Sequence, residues 1–243
     1  MHEKVCGIIL SVIPYKDTSK ILNIFTKEYG LIGVIAKGAK NPKSPLRAVT
    51  ENYTYGYFYI YYKLDRLSIL SQVDIINPFL NIRTNLELTS YRSFICELTH
   101  QTLKESPEAE IFDYLINGLE KMNQGLDPMI ITNILELKYL DYLGTHVNLD
   151  SCIKCGSTKD ILTIDGDAGG YICKNCYTNE IRVNPKTLKM IRMYYYINIK
   201  SISSIKVSNE VKNDINQFLT IYYEKYTGLY LKSKDFLNKI IFN

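Results

Sequence analysis

Tryptophan is missing from this 243-residue chain, and histidine nearly so, with His2, His100 and His146 isolated from one another. Tyrosine, present 21 times, is therefore the default aromatic. Long apolar runs are also missing. No uncharged stretch exceeds eleven residues (Val5 to Tyr15, Asn52 to Tyr62), against the roughly 20 a membrane helix needs. Val5 to Ile13 could pass for a signal core, but Pro14, Tyr15, Lys16 and Asp17 stand where a small-residue cleavage site belongs. A cytoplasmic protein with no membrane partner is expected. The chain has no P-loop, no G-x-S-x-G and no H-E-x-x-H. Asp165-Gly166-Asp167 lacks the closing Glu of a calcium loop, because Cys176 occupies the twelfth position. Nothing in the sequence argues for catalysis, so an enzyme is not expected. Repeats and low-complexity linkers are lacking too. Hydrophobic residues at 46% and charged residues at 22% describe a folded chain, of a length at which one core tends to become two.

Acidic residues are missing from one interval in particular, between Glu28 and Glu51. That interval holds Lys37, Lys40, Lys43 and Arg47 among Gly38, Pro42 and Pro45. Four cations at three- to four-residue spacing on an exposed loop make a phosphate track, or simply a solvated loop. The whole chain is similarly segregated. Residues 1–80 carry 10 Lys and Arg against 6 acids, residues 81–150 carry 5 against 11, and residues 151–243 carry 14 against 8. Such blocks suit a protein that meets a polyanion, since basic surface concentrates it and acidic surface repels it.

The first eighty residues read as five strands: Val5 to Val12, Ile21 to Thr26, Leu31 to Lys37, Tyr53 to Leu64 and Leu67 to Val73. They are rich in Ile, Val, Tyr and Phe and broken by turn residues. A small closed barrel of OB type accommodates them without exposed sheet edges. The stretch Tyr53 to Tyr62 places five tyrosines on one face by the period-two rule. Stacked bases would use such a face; filling the barrel and docking on a neighbour would use it equally, and is favoured because tyrosine serves everywhere in this chain.

Helical periodicity begins after Pro78. Thr84-Asn85-Leu86-Glu87 reads as a capping box with Thr84 as N-cap. A second helix is expected from about Glu108 to Asn123, and a third from Asp127 and Pro128 to a stop at Gly144. Further helices are expected over Pro185 to Tyr196, around Val211 to Tyr226, and from Lys232 to Ile241.

Between these helical blocks stand Cys152-x-x-Cys155 and Cys173-x-x-Cys176, with seventeen residues between the pairs. Each C-x₂-C hook turns two thiolates toward one point, and two hooks complete a tetrahedron suited to zinc. Four thiolates leave no open position, so Zn2+ bound here is structural. With Asp165 to Gly170 as the turn, the insertion reads as a two-stranded zinc ribbon. Cys6 and Cys96 sit in apolar patterns and are expected in cores. The fold class that results is α+β and multidomain: an N-terminal OB-type β-barrel, then an all-α domain with an inserted four-cysteine zinc ribbon. The expected boundaries are 1–79 for the barrel, 80–149 with 180–243 for the helical domain, and 150–179 for the ribbon.

Several stretches together resemble the RecO family of bacterial DNA repair proteins. They are Gly7 to Leu10, Phe25 to Gly30, Ala36 to Ser44, Leu149 to Gly156, Gly169 to Cys176 and Leu231 to Leu237. The chain departs at Asn41, where the family usually carries a second basic residue, and at Lys234, where Arg is frequent. The resemblance implies the same three-part fold and a recombination mediator that binds single- and double-stranded DNA and anneals complementary strands. It also implies association with RecR, help in loading RecA onto DNA coated with single-strand-binding protein, and contact with that protein's acidic tail through the helical domain. A nucleoid-associated, cytoplasmic location goes with that role. The rival expectation is an RNA-binding factor built on the same barrel and ribbon.

Overall fold

A computed structural model describes residues 2–241. Five strands, β1 (His2–Tyr15), β2 (Ser19–Thr26), β3 (Gly30–Ala36), β4 (Tyr55–Tyr61) and β5 (Ser68–Asn77), close into a barrel in the order β1-β2-β3-β5-β4. All pairings are antiparallel except the short parallel closure of β3 on β5 at Val34–Ser68 and Ile35–Ile69. Between β3 and β4 the chain makes one helical turn, α1 (Leu46–Val49), which the sequence pattern did not suggest. Tight coiling relies on Gly56, where a Cβ would meet the Asp74 carbonyl oxygen at 2.4 Å. Alternation along the strands then serves two masters. Val5, Ile9, Leu22, Ile24, Phe58 and Ile60 fill the barrel interior, while Ile8, Leu10, Phe25 and Tyr55 point outward and join the core of the helices.

The helices are α2 (Leu80–Thr84), α3 (Leu86–Glu105), α4 (Glu110–Asn123), α5 (Pro128–Tyr142), α6 (Pro185–Tyr196), α7 (Asn209–Tyr226) and α8 (Lys232–Ile241), with a 3₁₀ turn at Ile199–Ser201. Asp127 caps α5, accepting from the amides of Met129 and Ile130, with Pro128 at the first helical position. Asn184 and Pro185 repeat that arrangement on α6. The expected cap at Thr84 is corrected. Thr84 closes α2 and its hydroxyl donates to Leu80 O, while extended Asn85 caps α3 by accepting from Leu88 N at 3.0 Å. Two helices meet there instead of one beginning, so the capping position shifts by one residue.

Barrel and helices share one apolar junction. Phe25 meets Phe112 edge-on at 5.3 Å, Tyr55 stacks on Phe79 at 5.9 Å, and Lys27 pairs with Asp113 at 3.3 Å. Within the helical core, Lys234 of α8 reaches the buried Glu136 of α5 at 2.8 Å. Between α5 and α6 lies a sheet of three strands, β6 (Asn148–Cys152), β7 (Ile161–Asp165) and β8 (Gly170–Cys173), in the order β6-β8-β7. This corrects the expectation of two strands. β6 lies parallel on β8 because Gly170 leaves room for the Asn148 carbonyl, which a Cβ would meet at 2.6 Å. Among the described residues no helix is long and apolar enough to cross a membrane.

Candidate nucleic-acid interface and metal centre

Lys37, Lys40, Lys43 and Arg47 are all exposed, on a loop whose backbone is closely held. Gly38 turns the chain at φ 68°, Ala39 is buried, and Lys40 N donates to Thr18 O at 2.8 Å. Successive turns follow as Asn41 N, Ser44 N and Arg47 N bond to the carbonyls of Gly38, Asn41 and Ser44. Arg47 itself sits on α1. The far end is clamped by Lys20, whose side chain is only 12% exposed. It donates to Thr50 O and Oγ1 at 3.2 and 3.3 Å and pairs with Glu51 at 2.8 Å. Among the described residues none of the four loop cations pairs with a carboxylate, as the ion pairs of the barrel involve Lys20 and Lys27. The turn between β1 and β2 packs alongside, with Lys40 Nζ donating to Lys16 O at 3.1 Å. That turn brings exposed Lys16 to the same end of the barrel. Sequence reasoning missed Lys16, although barrel topology alone places both connections together.

The tyrosine stretch divides. Tyr57 and Tyr61 are exposed and Tyr59 half-buried on the free outer face. Lys4 lies 4.0 Å over the Tyr57 ring, and His2 packs edge-on against Tyr61 at 5.0 Å. Tyr55 shares that face but is covered by the helices, and Tyr53 falls outside β4 in a left-handed conformation at φ 68°. The expectation of five tyrosines on one strand face is thus corrected to three on its uncovered part, of which Tyr57 and Tyr61 are exposed and Tyr59 is half-buried. The interior that tyrosine was expected to fill is occupied by Phe58 and Ile60.

The four ribbon cysteines converge: the Sγ atoms of Cys152, Cys155, Cys173 and Cys176 lie within 4.8 Å of one another. Cys155 Sγ is 3.6 Å from Cys173 Sγ, and bonds of about 2.3 Å to one tetrahedral ion would separate sulfurs by about 3.8 Å. Local backbone makes the hooks. Gly156 N donates to Cys152 O and Cys176 N to Cys173 O, with Gly156 at φ 73°. Burial opposes ionisation of Cys152, yet amide donors from Cys173, Lys154 and Cys155 bring its thiol down to about 6. Cys176 goes the other way, to about 12, because hydrogen bonds with the thiols of Cys155 and Cys173, and then burial, favour its protonated form. Four crowded thiols cannot all ionise without a cation between them, so the donor set could hold a metal ion. Lys154 clips the hook to the chain beyond it, donating to Cys176 O and pairing with Glu180. His146 bonds Asp141 instead, at 3.1 Å. Cys96 is buried, which pushes its thiol up to about 12, and Cys6 is half-buried beside Tyr55.

Fold and sites together define an OB-like barrel with a cationic loop, joined to a helical lobe that carries a four-cysteine cluster. Two family profiles match this arrangement: "Recombination protein O N terminal" over residues 1–79 and "Recombination protein O C terminal" over residues 83–235. Full-length relatives agree. A "DNA repair protein RecO" from Bacillus subtilis (strain 168) is 34% identical over 99% of this chain and 95% of its own. Another of that name from Listeria monocytogenes serotype 4b is 33% identical over 98% and 94%, and one from Halalkalibacterium halodurans 33% over 99% and 96%. The chain belongs to the RecO family of DNA repair proteins.

Proposed function

We propose that this protein is a non-catalytic recombination mediator whose residues 1–79 hold DNA through Lys37, Lys40, Lys43 and Arg47. The observation that carries the reading is the loop itself: four exposed cations, no carboxylate partner among the described residues, and a backbone pinned by its own amides. A pinned loop is already ordered before a strand arrives, so binding forfeits little chain entropy. A polyphosphate backbone matches this chemistry, and single or double strands both present it. The helical lobe, residues 80–149 and 180–243, serves partners: RecR and the acidic tail of single-strand-binding protein. Zn2+ held by Cys152, Cys155, Cys173 and Cys176 locks the ribbon, residues 150–179, and takes no part in chemistry. In the cytoplasm, with the nucleoid, such a protein anneals complementary single strands and, with RecR, helps load RecA onto coated DNA.

The test is annealing of complementary strands coated with single-strand-binding protein, run without nucleotide. Acceleration that disappears when all four loop cations are changed to Ala supports the reading. No acceleration by the wild-type protein, or preferential capture of RNA over the matched DNA oligomer, contradicts it.

A further inference from the structure

Where α3 approaches the barrel, a cleft of about 190 Å³ opens beside the lysine loop, lined among others by Ala48, Glu51, Tyr53, Asn77, Arg83 and Arg92. Its two arginines lie on α2 and α3, and neither has a carboxylate partner among the described residues. Arg92 is the unusual one. Its guanidinium is only partly exposed and lies 4.5 Å over the Tyr53 ring, and its Nε is buried with nothing to donate to. The groups acting on it are Cys96 and Tyr53, with Arg83 as a second positive charge; burial is the largest influence and works against its charge. A half-buried guanidinium with an idle donor and a like charge beside it is costly, unless an anion completes the site. Tyr53, which holds the ring beneath it, sits in the left-handed region that a tyrosine adopts only at a cost in strain. The one acid in the lining, Glu51, is already engaged by Lys20 at 2.8 Å.

We infer that this cleft is a phosphate subsite, in which Arg92 and Arg83 grip a single phosphodiester group of the DNA strand that the lysine loop holds. The volume is below the roughly 300 Å³ at which sites for drug-sized ligands begin, which suits one phosphate and not a peptide. Position adds to this. Ala48 belongs to α1 next to Arg47, so a strand leaving the loop passes the mouth of the cleft. Arginine is the fitting residue, because its planar fork meets two phosphate oxygens at once and its face can rest on an aromatic ring. This inference rests on the DNA-binding reading above and extends it to the junction between barrel and helices.

The experiment follows fluorescein-labelled oligo(dT) by anisotropy across a salt series, for the wild type, Arg83→Ala, Arg92→Lys, Arg83→Ala with Arg92→Gln, and the four-cation loop variant. The double variant should bind about tenfold more weakly, the worth of one charged hydrogen-bonded contact. Its log–log salt slope should shrink by about 0.7, one phosphate on a single strand. Arg92→Lys, which keeps charge but loses the fork, should weaken binding with the slope retained. Should the double variant fail to fold, Arg83→Ala, at an exposed position, carries the test with the same direction of change. Unchanged affinity and slope in folded arginine variants, beside a loop variant that loses both, overturns the cleft assignment and leaves the loop reading intact. Absence of salt-dependent binding by the wild type overturns both. In a parallel anisotropy series with a fluorescein-labelled acidic decapeptide, arginine variants that lose peptide binding while oligo(dT) binding is untouched assign the cleft to a protein partner and overturn the phosphate subsite.

Discussion

The connection at residues 37–54 and the two cysteine hooks at residues 152–156 and 173–176 are all held in tight turns by their own amides, yet the first sends its charged side chains outward and the hooks turn their thiols in on one point. In the loop, like charges are spread by the turns and left without carboxylate partners among the described residues, a state stable only in water or against an anion. In the ribbon, the sulfurs sit as close as 3.6 Å, a state stable only with protons shared among them or a cation in the middle. On the proposed reading, the first is a surface open to a ligand and the second a centre that holds the fold. Net charge alone does not make that distinction. Residues 151–243 are as basic as the barrel in composition, and five of their fourteen cations, Lys154, Arg192, Lys212, Lys225 and Lys234, are tied to acids, whereas among the described residues none of the four in the loop is.

The strongest way to break the comparison is to disrupt the four-cysteine cluster. Structural zinc in small motifs contributes an apparent 10–16 kcal/mol, about as much as folding the motif. One zinc per chain is expected in freshly purified protein by elemental analysis. Cys155→Ser should abolish that stoichiometry and lower the melting temperature, while the salt slope for oligonucleotide binding stays put. A slope that falls together with the metal content would show that ribbon and loop are not independent. A smaller effect is expected from Lys20→Met, which removes the clamp on Thr50 and Glu51 and should cost about 2 kcal/mol, the scale of hydrogen bonds to a charged group. Urea midpoints measure that cost, and DNA binding should weaken although Lys20 itself faces no ligand. The smallest effect lies at the ribbon's clip. The Lys154 ammonium, then the Thr178 amide, hold the Glu180 carboxyl at about 2, below its ordinary value near 4.5. A depressed carboxyl pKa stabilises the fold above the ordinary value, and that share is lost as pH falls through about 2. Glu180→Gln should therefore narrow the stability gap to the wild type as pH is lowered from about 4.5, and an unchanging gap would deny the clip a role.

What the sequence made legible was local. Alternating apolar residues gave the five strands, Asp127-Pro128 gave one helix start and Pro185 another, and C-x₂-C spacing brought four thiols together. What it hid was decided by distant contacts. Tyr55 and Tyr57 are equivalent in a period-two reading, and only the packing of Phe79 over one of them buries it. Lys20 reads as one more loop-side cation until the fold carries Thr50 to it. Arg92 in a helical run looks like a solvated charge, because nothing in its neighbours foretells that Tyr53 will lie beneath it. β6 was missed for the same reason: its partner, Gly170, is more than twenty residues on.

The central claim is that the barrel end bearing Lys37, Lys40, Lys43 and Arg47 holds strands by their phosphates. Anisotropy of labelled oligo(dT) against salt concentration tests it most directly, comparing the wild type with the protein in which all four are Ala. At about 0.7 per phosphate, the four should account for a slope of about −3, most of which vanishes in the variant while its melting temperature is kept. A wild-type slope near zero, or a variant that binds as the wild type does, contradicts the account.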